Sequence, residues 1–425
     1  MDETVKIGLV GCGFMGIRHL HGFKELHRRN LKNLELTAVC DMDGERVRRA
    51  ADLAETHLGR RPAVYKDYAQ MLNEEKKLDA VDIVVDPCFH HVLVDQAFKA
   101  DKHVLVEKPL GITVKACRRM VKSSQKYGKT LAVAENYRRD PLNRLVKAAL
   151  ESGVIGKPYF VLQNLVEGGS RIIVTPWRHM KEKGGILVDM GVHYADLLQY
   201  FFGEVETVYG QQAVLEKVRK GIDIVGWPAD VRPSNAGKSV VEEVKPTAED
   251  TALAIMKFKN GVLCHWLMSL AGHGEKLWQR TIFGSSGRMD APLDRSGKPL
   301  RVSFDDGRVI SGDEILKTAT VYSDNDVTTK IFPEGLAHYE LPFQEADRRL
   351  IAIELYDFAD AVINRRRPEV DGVDGLKAAA LTYAICESAC LGKPVRVSDV
   401  ENGKICSYQQ TINEAWNIDL DSPIA

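Results

Sequence analysis

The sequence has no long apolar run, and its most apolar stretches, such as residues 80–85, are only as long as a β-strand. A transmembrane helix needs about 20 consecutive and mostly apolar residues, so we expect no membrane-spanning segment and no membrane partner. The first ten residues lead into a strand-like segment without the basic and apolar parts of a secretory signal. The sequence therefore predicts a cytoplasmic protein.

An excess of charge of one sign is also missing, because 58 Lys and Arg residues balance 59 Asp and Glu residues and the net charge is −1. A nucleic-acid-binding protein normally has a basic excess, so we expect no nucleic-acid partner. The eight cysteines are scattered, without a CxxC pair or a His/Cys cluster of zinc-binding spacing. We therefore predict neither a disulfide framework nor a metal site.

The chain of 425 residues, 44% hydrophobic and 28% charged, has the size and composition of a folded protein of more than one domain. In its first third, short apolar runs alternate with helical segments, which is typical of a parallel sheet covered on both faces. The predicted strands are 5–10, 34–40, 80–85, 103–106 and 130–134, and the predicted helices are 14–27, 44–58, 90–100 and 113–127. Residues 1–135 are thus predicted to form a doubly wound α/β domain of the Rossmann type.

The pattern changes after this part, because strands then follow one another with few helices between them. The predicted helices are 142–152, 186–202, 346–364 and 375–391, and the predicted strands are 159–166, 205–214, 251–258, 261–270 and 279–283. Consecutive strands favour a mixed, mostly antiparallel sheet, so residues 136–398 are predicted to be an α+β domain. A C-terminal extension covers 399–425. Two polar segments, 217–250 and 294–344, interrupt the pattern.

A glycine-rich sequence, GCGFMG at residues 11–16, joins the first predicted strand to a helix. Glycines in a GxGxxG arrangement allow a tight turn and bring the backbone close to a pyrophosphate at the helix N-terminus. A turn used only for helix–strand packing is the alternative. The position between strand and helix favours a dinucleotide-binding loop that contains Gly11, Gly13, Phe14, Met15 and Gly16.

The second predicted strand ends in Asp41, 25 residues after Gly16. An acidic residue at this place accepts hydrogen bonds from the adenosine ribose and repels a 2′-phosphate. After Asp41 no basic residue occurs before Arg46. The sequence therefore favours NAD over NADP as cofactor, and the arginines nearby leave NADP as the alternative.

Two further predicted strands end at the edge of the sheet where doubly wound folds bind their ligands. One runs into DPCFHH at residues 86–91 and the other into Glu107-Lys108-Pro109. A lysine at a strand end is commonly a solvated charge, but a following proline keeps its backbone extended. Lys108 is therefore a candidate for a fixed catalytic group.

The apolar helix predicted at 186–202 carries Asp189 and His193, four residues apart and hence on one helix face. Burying a carboxylate is costly unless it is paired. The two residues predict an acid–base pair that faces a cleft. A purely structural Asp–His pair is the alternative.

Together, GCGFMG, EKP and the DMGVH sequence of residues 189–193 make the chain resemble the Gfo/Idh/MocA family, the relatives of glucose–fructose oxidoreductase and inositol dehydrogenase. The resemblance extends to DPCFHHVLVDQAFKADKHVLVEKP and DGVDGLKAAALTYAICESACLGKPV, and it covers residues 4–215 and 345–398. It implies a Rossmann domain, a second domain whose open sheet face forms homodimers or homotetramers, and a substrate cleft between the two.

The resemblance also implies site residues, since it brings Lys108, Asp189 and His193 together at the nicotinamide. The chain departs from the family at residues 86–88, where DPC stands in place of the common Thr-Pro-Asn. Further cofactor contacts implied by the motifs are Pro87, His91, Glu107 and Lys108.

We therefore expect an NAD-dependent dehydrogenase that oxidises a secondary alcohol of a sugar, cyclitol or glycoside. His193 is the expected base, because a histidine with a pKa near 6.5 accepts a proton at neutral pH, and Asp189 is expected to orient it. Lys108 is expected to hydrogen-bond the reacting oxygen, and Lys108 as the base is the alternative. The expected substrate contacts are Lys108, Tyr137, Arg138, Arg178, Asp189 and His193.

Two other functions stay open. A glycoside hydrolase or lyase-coupled enzyme would use NAD transiently, oxidising the sugar and returning the hydride within one cycle. A non-catalytic sensor would bind the nucleotide to control a partner protein. The presence of Lys108, Asp189 and His193 argues against the sensor.

Overall fold

The N-terminal part of the chain alternates strands and helices, as the sequence predicts. The computed structural model describes residues 4–223, 243–322 and 326–419. The elements of this part are β1 (Val5–Val10), α1 (Phe14–Arg28), β2 (Leu34–Cys40), α2 (Gly44–Leu58), β3 (Ala63–Tyr65), α3 (Tyr68–Glu74), β4 (Ala80–Ile83), α4 (Pro87–Lys99), β5 (His103–Glu107), α5 (Val114–Tyr127) and β6 (Leu131–Ala134). The six strands are parallel in the order β3-β2-β1-β4-β5-β6, which confirms the Rossmann-type sheet.

The structure differs from the sequence-based prediction at a few element boundaries. The sequence does not predict β3 or α3, because a three-residue edge strand is too short to show a hydrophobic period. Helix α4 begins at Pro87 instead of residue 90, since proline is tolerated in the first turn of a helix. Helix α5 begins after Thr113, whose side chain caps the helix by accepting a hydrogen bond from the Ala116 N–H.

The rest of the chain forms a second, larger sheet with helices on one side. Its elements are α6 (Pro141–Glu151), β7 (Pro158–Gly168), β8 (Arg171–Ile173), α7 (Gly185–Phe202), β9 (Val205–Ala213), β10 (Arg219–Asp223), β11 (Glu243–Val244), β12 (Thr251–Phe258), β13 (Leu263–Gly272), β14 (Leu277–Gly284), β15 (Arg288–Ala291), β16 (Arg301–Ser303), β17 (Val309–Ser311), α8 (Asp313–Thr318), α9 (Asp326–Ile331), α10 (Phe343–Ile363), α11 (Gly372–Leu391), β18 (Val395–Arg396), α12 (Val397–Glu401) and α13 (Gln410–Ala415). Nine strands follow the order β17-β16-β15-β14-β7-β13-β12-β9-β18. Only the β7–β13 pairing is parallel, so the mixed, mostly antiparallel sheet is confirmed.

Both polar segments contain short elements that the sequence does not predict. Strands β10 and β11, in the segment 217–250, form a small sheet with β8, and the residues between these two strands lie outside the described part of the chain. The segment 294–344 contains β16, β17, α8, α9 and the start of α10. Of the two segments, 294–344 brings Arg295 and Phe343 to the wall of a cavity between the two sheets.

Helices α7 and α11 pack on one face of the large sheet, where a Cβ at Gly191 would lie 3.3 Å from the Trp266 ring. The opposite face exposes apolar side chains such as Leu253, Ile255 and Leu263. Helix α10 packs instead on α1 of the first sheet, so a late segment completes the N-terminal core. The domain boundaries 1–135, 136–398 and 399–425 stay predictions. No helix within the described residues is long and apolar enough to span a membrane.

Candidate active site

A cavity of about 1290 Å³ lies between the carboxyl ends of the first sheet's strands and the N-terminal half of α7. It extends from the glycine loop, past the ends of β4 and β5, to α7 and Arg295. Most of the sequence-predicted site residues line it, namely Gly11, Gly13, Phe14, Met15, Asp41, Pro87, Glu107, Lys108, Tyr137, Arg178, Asp189 and His193.

Three predicted residues are not part of this lining. Gly16 packs against the glycine loop itself, and His91 is buried on α4, where its Nδ1 has no hydrogen-bond partner among the described residues. Arg138 is also buried, and its Nε donates to Asp196 Oδ2 at 2.8 Å. The structure therefore does not bring Arg138 into the cleft, because Asp196 holds its guanidinium inside the protein.

The glycine loop has the shape that a pyrophosphate requires. Gly11 has φ = 97°, and a Cβ at Gly16 would lie 2.0 Å from the Gly11 carbonyl oxygen, so both positions exclude side chains. A Cβ at Gly13 would meet no described atom within 4 Å, and no side chain caps the start of α1 there. The backbone N–H groups at this helix N-terminus are therefore open to an anion.

Asp41 fixes the loop from the end of β2. Its Oδ2 accepts from the Cys12 N–H at 2.8 Å and its Oδ1 from the Asp43 N–H at 2.9 Å. The same cavity is also lined by three exposed apolar side chains, Met42, Phe89 and Val92. An open phosphate loop, an acidic residue at the second strand and exposed apolar surface fit a dinucleotide with an adenosine end.

Lys108 lies at the carboxyl end of β5 and reaches across to α7. Its Nζ donates to the Asp189 carbonyl oxygen at 2.8 Å and to Asp189 Oδ1 at 3.1 Å. Arg178 approaches the same carboxylate from the other side, with Nε 2.8 Å from Oδ2, while its Nη1 donates to Thr175 Oγ1 at 2.7 Å. Two cations thus share Asp189 and tie α7 to the end of β5.

Asp189 is ionised in this arrangement. Burial by itself raises the pKa of the carboxyl, but Arg178 and Lys108 outweigh burial through their charges and hydrogen bonds and hold the pKa of Asp189 well below its usual range. The carboxylate therefore serves as an anchor for the two cations and does not take up a proton near neutral pH.

The imidazole of His193 pairs with Glu135, a residue that sequence reasoning missed. Its Nδ1 lies 2.8 Å from Oε1 and 2.8 Å from Oε2 of Glu135. Among the described residues no hydrogen bond joins Asp189 to His193, so the structure does not contain the contact through which Asp189 was expected to orient the imidazole. The four-residue spacing does place both on one helix face, but Lys108 and Arg178 occupy the two Asp189 oxygens.

The protonation of this pair follows from its contacts. Burial raises the pKa of Glu135, but His193 and the Tyr137 N–H lower it below the usual value, so the carboxylate is an acceptor only. We therefore assign the proton of the neutral ring to Nδ1. Burial lowers the pKa of His193 below 6.5, Glu135 opposes this, and Lys108 lowers the pKa further. At neutral pH His193 thus presents an unprotonated Nε2.

Tyr137 and Arg295 complete the wall beside His193. The Tyr137 ring stacks on the imidazole with centroids 3.9 Å apart and planes at 6°. Arg295 Nη2 donates to the Tyr137 hydroxyl at 2.8 Å, and its Nη1 donates to Asp347 Oδ1 at 2.9 Å. The available sequence signal for Glu135 was its place directly after β6, at the same sheet edge. Arg295 lies in a polar segment without a pattern, and no sequence signal pointed to it.

Two family models match this chain. The model described as "Oxidoreductase family, NAD-binding Rossmann fold" matches residues 5–135. The model described as "GFO/IDH/MocA C-terminal domain" matches residues 143–290. The two matches contain the glycine loop and Lys108 in the first region and Asp189 and His193 in the second.

Named relatives align over most of the chain. D-apiose dehydrogenase of Paraburkholderia graminis is 27% identical over 94% of this chain and 91% of its own length. Myo-inositol 2-dehydrogenase of Thermotoga maritima is 27% identical over 93% of this chain and 99% of its own. The structure of levoglucosan dehydrogenase in complex with NADH and L-sorbose has a TM-score of 0.72 and 21% identity, over 93% of this chain and 100% of that one, and shows the same fold.

Proposed function

The chain belongs to the GFO/IDH/MocA family of NAD-binding oxidoreductases, and from that premise we propose that it oxidises a secondary alcohol of a sugar, cyclitol or glycoside with NAD. One observation is the main support for this proposal. A neutral imidazole with Nδ1 held by Glu135 and a lysine amine held by Asp189 line the same cavity at the carboxyl ends of β5 and β6. This pair supplies an acceptor for the hydroxyl proton and a donor to the hydroxyl oxygen.

His193 is proposed as the base. Its Nε2 takes the proton of the substrate hydroxyl, and the ring becomes an imidazolium that Glu135 stabilises through the Nδ1–H contact. NAD, when bound, accepts a hydride at its nicotinamide. The stacked Tyr137 ring keeps the imidazole in one orientation.

Lys108 is proposed as the donor to the reacting oxygen. Two of the N–H groups of its amine donate to the carbonyl and carboxylate oxygens of Asp189, and the third is available to donate to the substrate. This donor stabilises alkoxide character as the proton leaves. The amine already donates to two oxygens of Asp189, whereas Glu135 holds only Nδ1 of His193, and this geometry favours Lys108 as the donor and His193 as the base.

A polyhydroxylated substrate fits the cavity best. An apolar alcohol would leave the third N–H of the Lys108 amine and the Nε2 atom of His193 without partners, at a cost of about 1–3 kcal/mol each. The rings of Trp177 and Phe343 also line the cavity and offer flat surfaces to the apolar face of a sugar. The names of the relatives point to the same class, since they are dehydrogenases of D-apiose and myo-inositol.

We propose further that the chain is a cytoplasmic homo-oligomer, a dimer or tetramer, that pairs through the open face of its large sheet. Leu253 and Ile255 on β12 and Leu263 on β13 are 44%, 61% and 50% exposed and lie on neighbouring, paired strands. Exposed apolar side chains grouped on one face of a sheet are characteristic of protein interfaces. We propose that the same face of a second copy of this chain packs against it.

The reaction is tested with a panel of polyols that includes myo-inositol, D-apiose and levoglucosan, incubated with NAD and followed at 340 nm with product analysis. Oxidised sugar together with free NADH supports the dehydrogenase, and Lys108→Met serves as the inactive control. Cleaved glycoside without net NADH would favour the hydrolase. Tight nucleotide binding without any product would favour the sensor.

A further inference from the structure

A buried cluster of ionisable side chains centres on His19, on the helix that follows the glycine loop. The His19 side chain is 0% exposed, with Nδ1 2.8 Å from Asp82 Oδ2, and Nε2 3.2 Å from Glu107 Oε1 and 3.9 Å from Glu354 Oε1. The three carboxyl groups come from β4, β5 and α10. Glu107 lines the cavity but His19 does not, so the proposed chemistry gives His19 no role.

The contacts make His19 an imidazolium. Both ring nitrogens face carboxylate oxygens, which only accept hydrogen bonds, so both nitrogens carry protons. Burial by itself lowers the pKa of His19, but Asp82 and Glu107 outweigh burial and raise it well above 6.5. Burial also raises the pKa of Asp82 and of Glu354, whereas His19 holds the pKa of Glu107 below its usual value. Glu107 is therefore the carboxylate that His19 keeps ionised.

Glu107 connects this cluster to the active site. Its Oε1 faces His19, and its Oε2 accepts from the backbone N–H of Lys108 at 2.9 Å. The same Lys108 reaches Asp189 with its amine. A single carboxylate thus lies between the buried imidazolium and the backbone of the residue that carries the reactive amine.

We propose that His19 is a positioning residue that acts through Glu107 to fix the backbone of Lys108. The inference rests on the proposed function, in which Lys108 donates to the reacting oxygen. An ionised Glu107 holds the Lys108 N–H more firmly than a neutral carboxyl would, because charge-assisted hydrogen bonds are the stronger ones. Loss of the imidazolium loosens this contact and lets the Lys108 amine leave its place.

The test compares His19→Gln with Glu25→Gln, a control on the same helix. Glu25 is equally buried, but it pairs with Arg28 and Arg29 away from the cavity. We expect H19Q to lower kcat at least about tenfold with substrate KM within about threefold, since small misplacements of a catalytic group are costly. E25Q keeps its kcat. In a Lys108→Met background, H19Q costs no more than about twofold in addition, because residues that act as a unit are non-additive.

A second readout needs no catalysis. Labelling of Lys108 with an amine-directed reagent, followed by mass spectrometry, should run at least about threefold faster in H19Q than in the parent protein and unchanged in E25Q. If H19Q does not fold, Glu107→Gln breaks the same connection and must give the same labelling result. A labelling change in a protein without dehydrogenase activity would reject the proposed function and keep this inference. Unchanged labelling, or kcat losses that multiply fully with K108M, would overturn the inference.

Discussion

At the scale of single residues, the contact between His193 Nδ1 and the Glu135 carboxylate determines which nitrogen of the imidazole can accept a proton. Glu135→Gln removes the charge that stabilises the imidazolium. We expect a loss of about 1.5–3 kcal/mol, or roughly 10- to 160-fold in kcat. His193→Gln should cost at least about 100-fold, and the double variant should lose little more than H193Q alone, because the two residues act as one unit.

Asp189 provides the comparison for the double-mutant cycle of Glu135 and His193. Asp189→Asn disturbs Lys108 and Arg178, whereas no described hydrogen bond joins Asp189 to His193. The fold losses in kcat caused by D189N and H193Q should therefore nearly multiply in the double variant, whereas those of E135Q and H193Q should not. Steady-state kcat values of the three single and two double variants decide the matter, and equal coupling in both cycles would contradict the assigned pairing.

The pH dependence follows from the same contact. A base must be unprotonated, so activity is full above the pKa of His193 and is lost as the pH falls through it. Burial and Lys108 lower this pKa below 6.5, and Glu135 raises it. The acid limb of kcat/KM should therefore lie below pH 6.5, and E135Q should move the limb to lower pH. An acid limb above pH 7, or a shift upward in E135Q, would contradict this reading.

At the scale of elements, the turn from β1 into α1 contains two glycines whose replacement by alanine should have different effects. Gly13→Ala adds a methyl group where no described atom lies within 4 Å, so it should leave the unfolding free energy within about 1 kcal/mol and weaken NAD binding at least about tenfold. Gly16→Ala would place its Cβ 2.0 Å from the Gly11 carbonyl oxygen, so it should also lower the melting temperature. Thermal unfolding and NAD titration of both variants measure their stability and their NAD affinity. Equal losses of stability in the two variants would contradict the different roles of the two glycines.

The limits of sequence reasoning also show at this scale. Except for β3, the strands of the first sheet were predictable because a buried parallel strand is an unbroken apolar run, and the glycine loop was predictable because it has a fixed motif. The start of α11 at Gly372 was not predicted, although Asp371 and Asp374 form a capping box there. Helix α7 was predicted with Asp189 and His193 on one face. Two of their partners, Lys108 and Glu135, follow strands far away in the sequence, and only the fold brings them to α7.

At the scale of the whole molecule, the open face of the large sheet should determine the oligomeric state. Ile255→Asp places a charge among the exposed apolar side chains of this face and should produce a smaller species in analytical ultracentrifugation. Leu391→Asp is the matched control, since Leu391 is also exposed but ends α11 on another part of the surface. A parent protein that sediments as a monomer, or an unchanged assembly in I255D, would contradict pairing through this face.

The architecture of both sheets was predictable at this scale, whereas the connections between them were not. Helix α10 lies late in the chain but packs on α1, and Arg295 reaches the site from a segment with no readable pattern. Such contacts depend on tertiary packing, which local periodicity does not encode. The sequence therefore predicted the glycine loop and side chains that line the cavity, such as Lys108 and His193, but not Glu135, which pairs with His193.

The most direct test of the account follows the hydrogen on the oxidised carbon. The best substrate from the polyol panel is prepared with deuterium at its carbinol carbon and incubated with NAD and the parent protein, and the NADH is analysed by mass spectrometry. The account predicts one deuterium in the NADH for each molecule of ketone formed, with this signal lost at least about 100-fold in Lys108→Met. Product formed without deuterium in free NADH would contradict oxidation by NAD as the reaction of this protein.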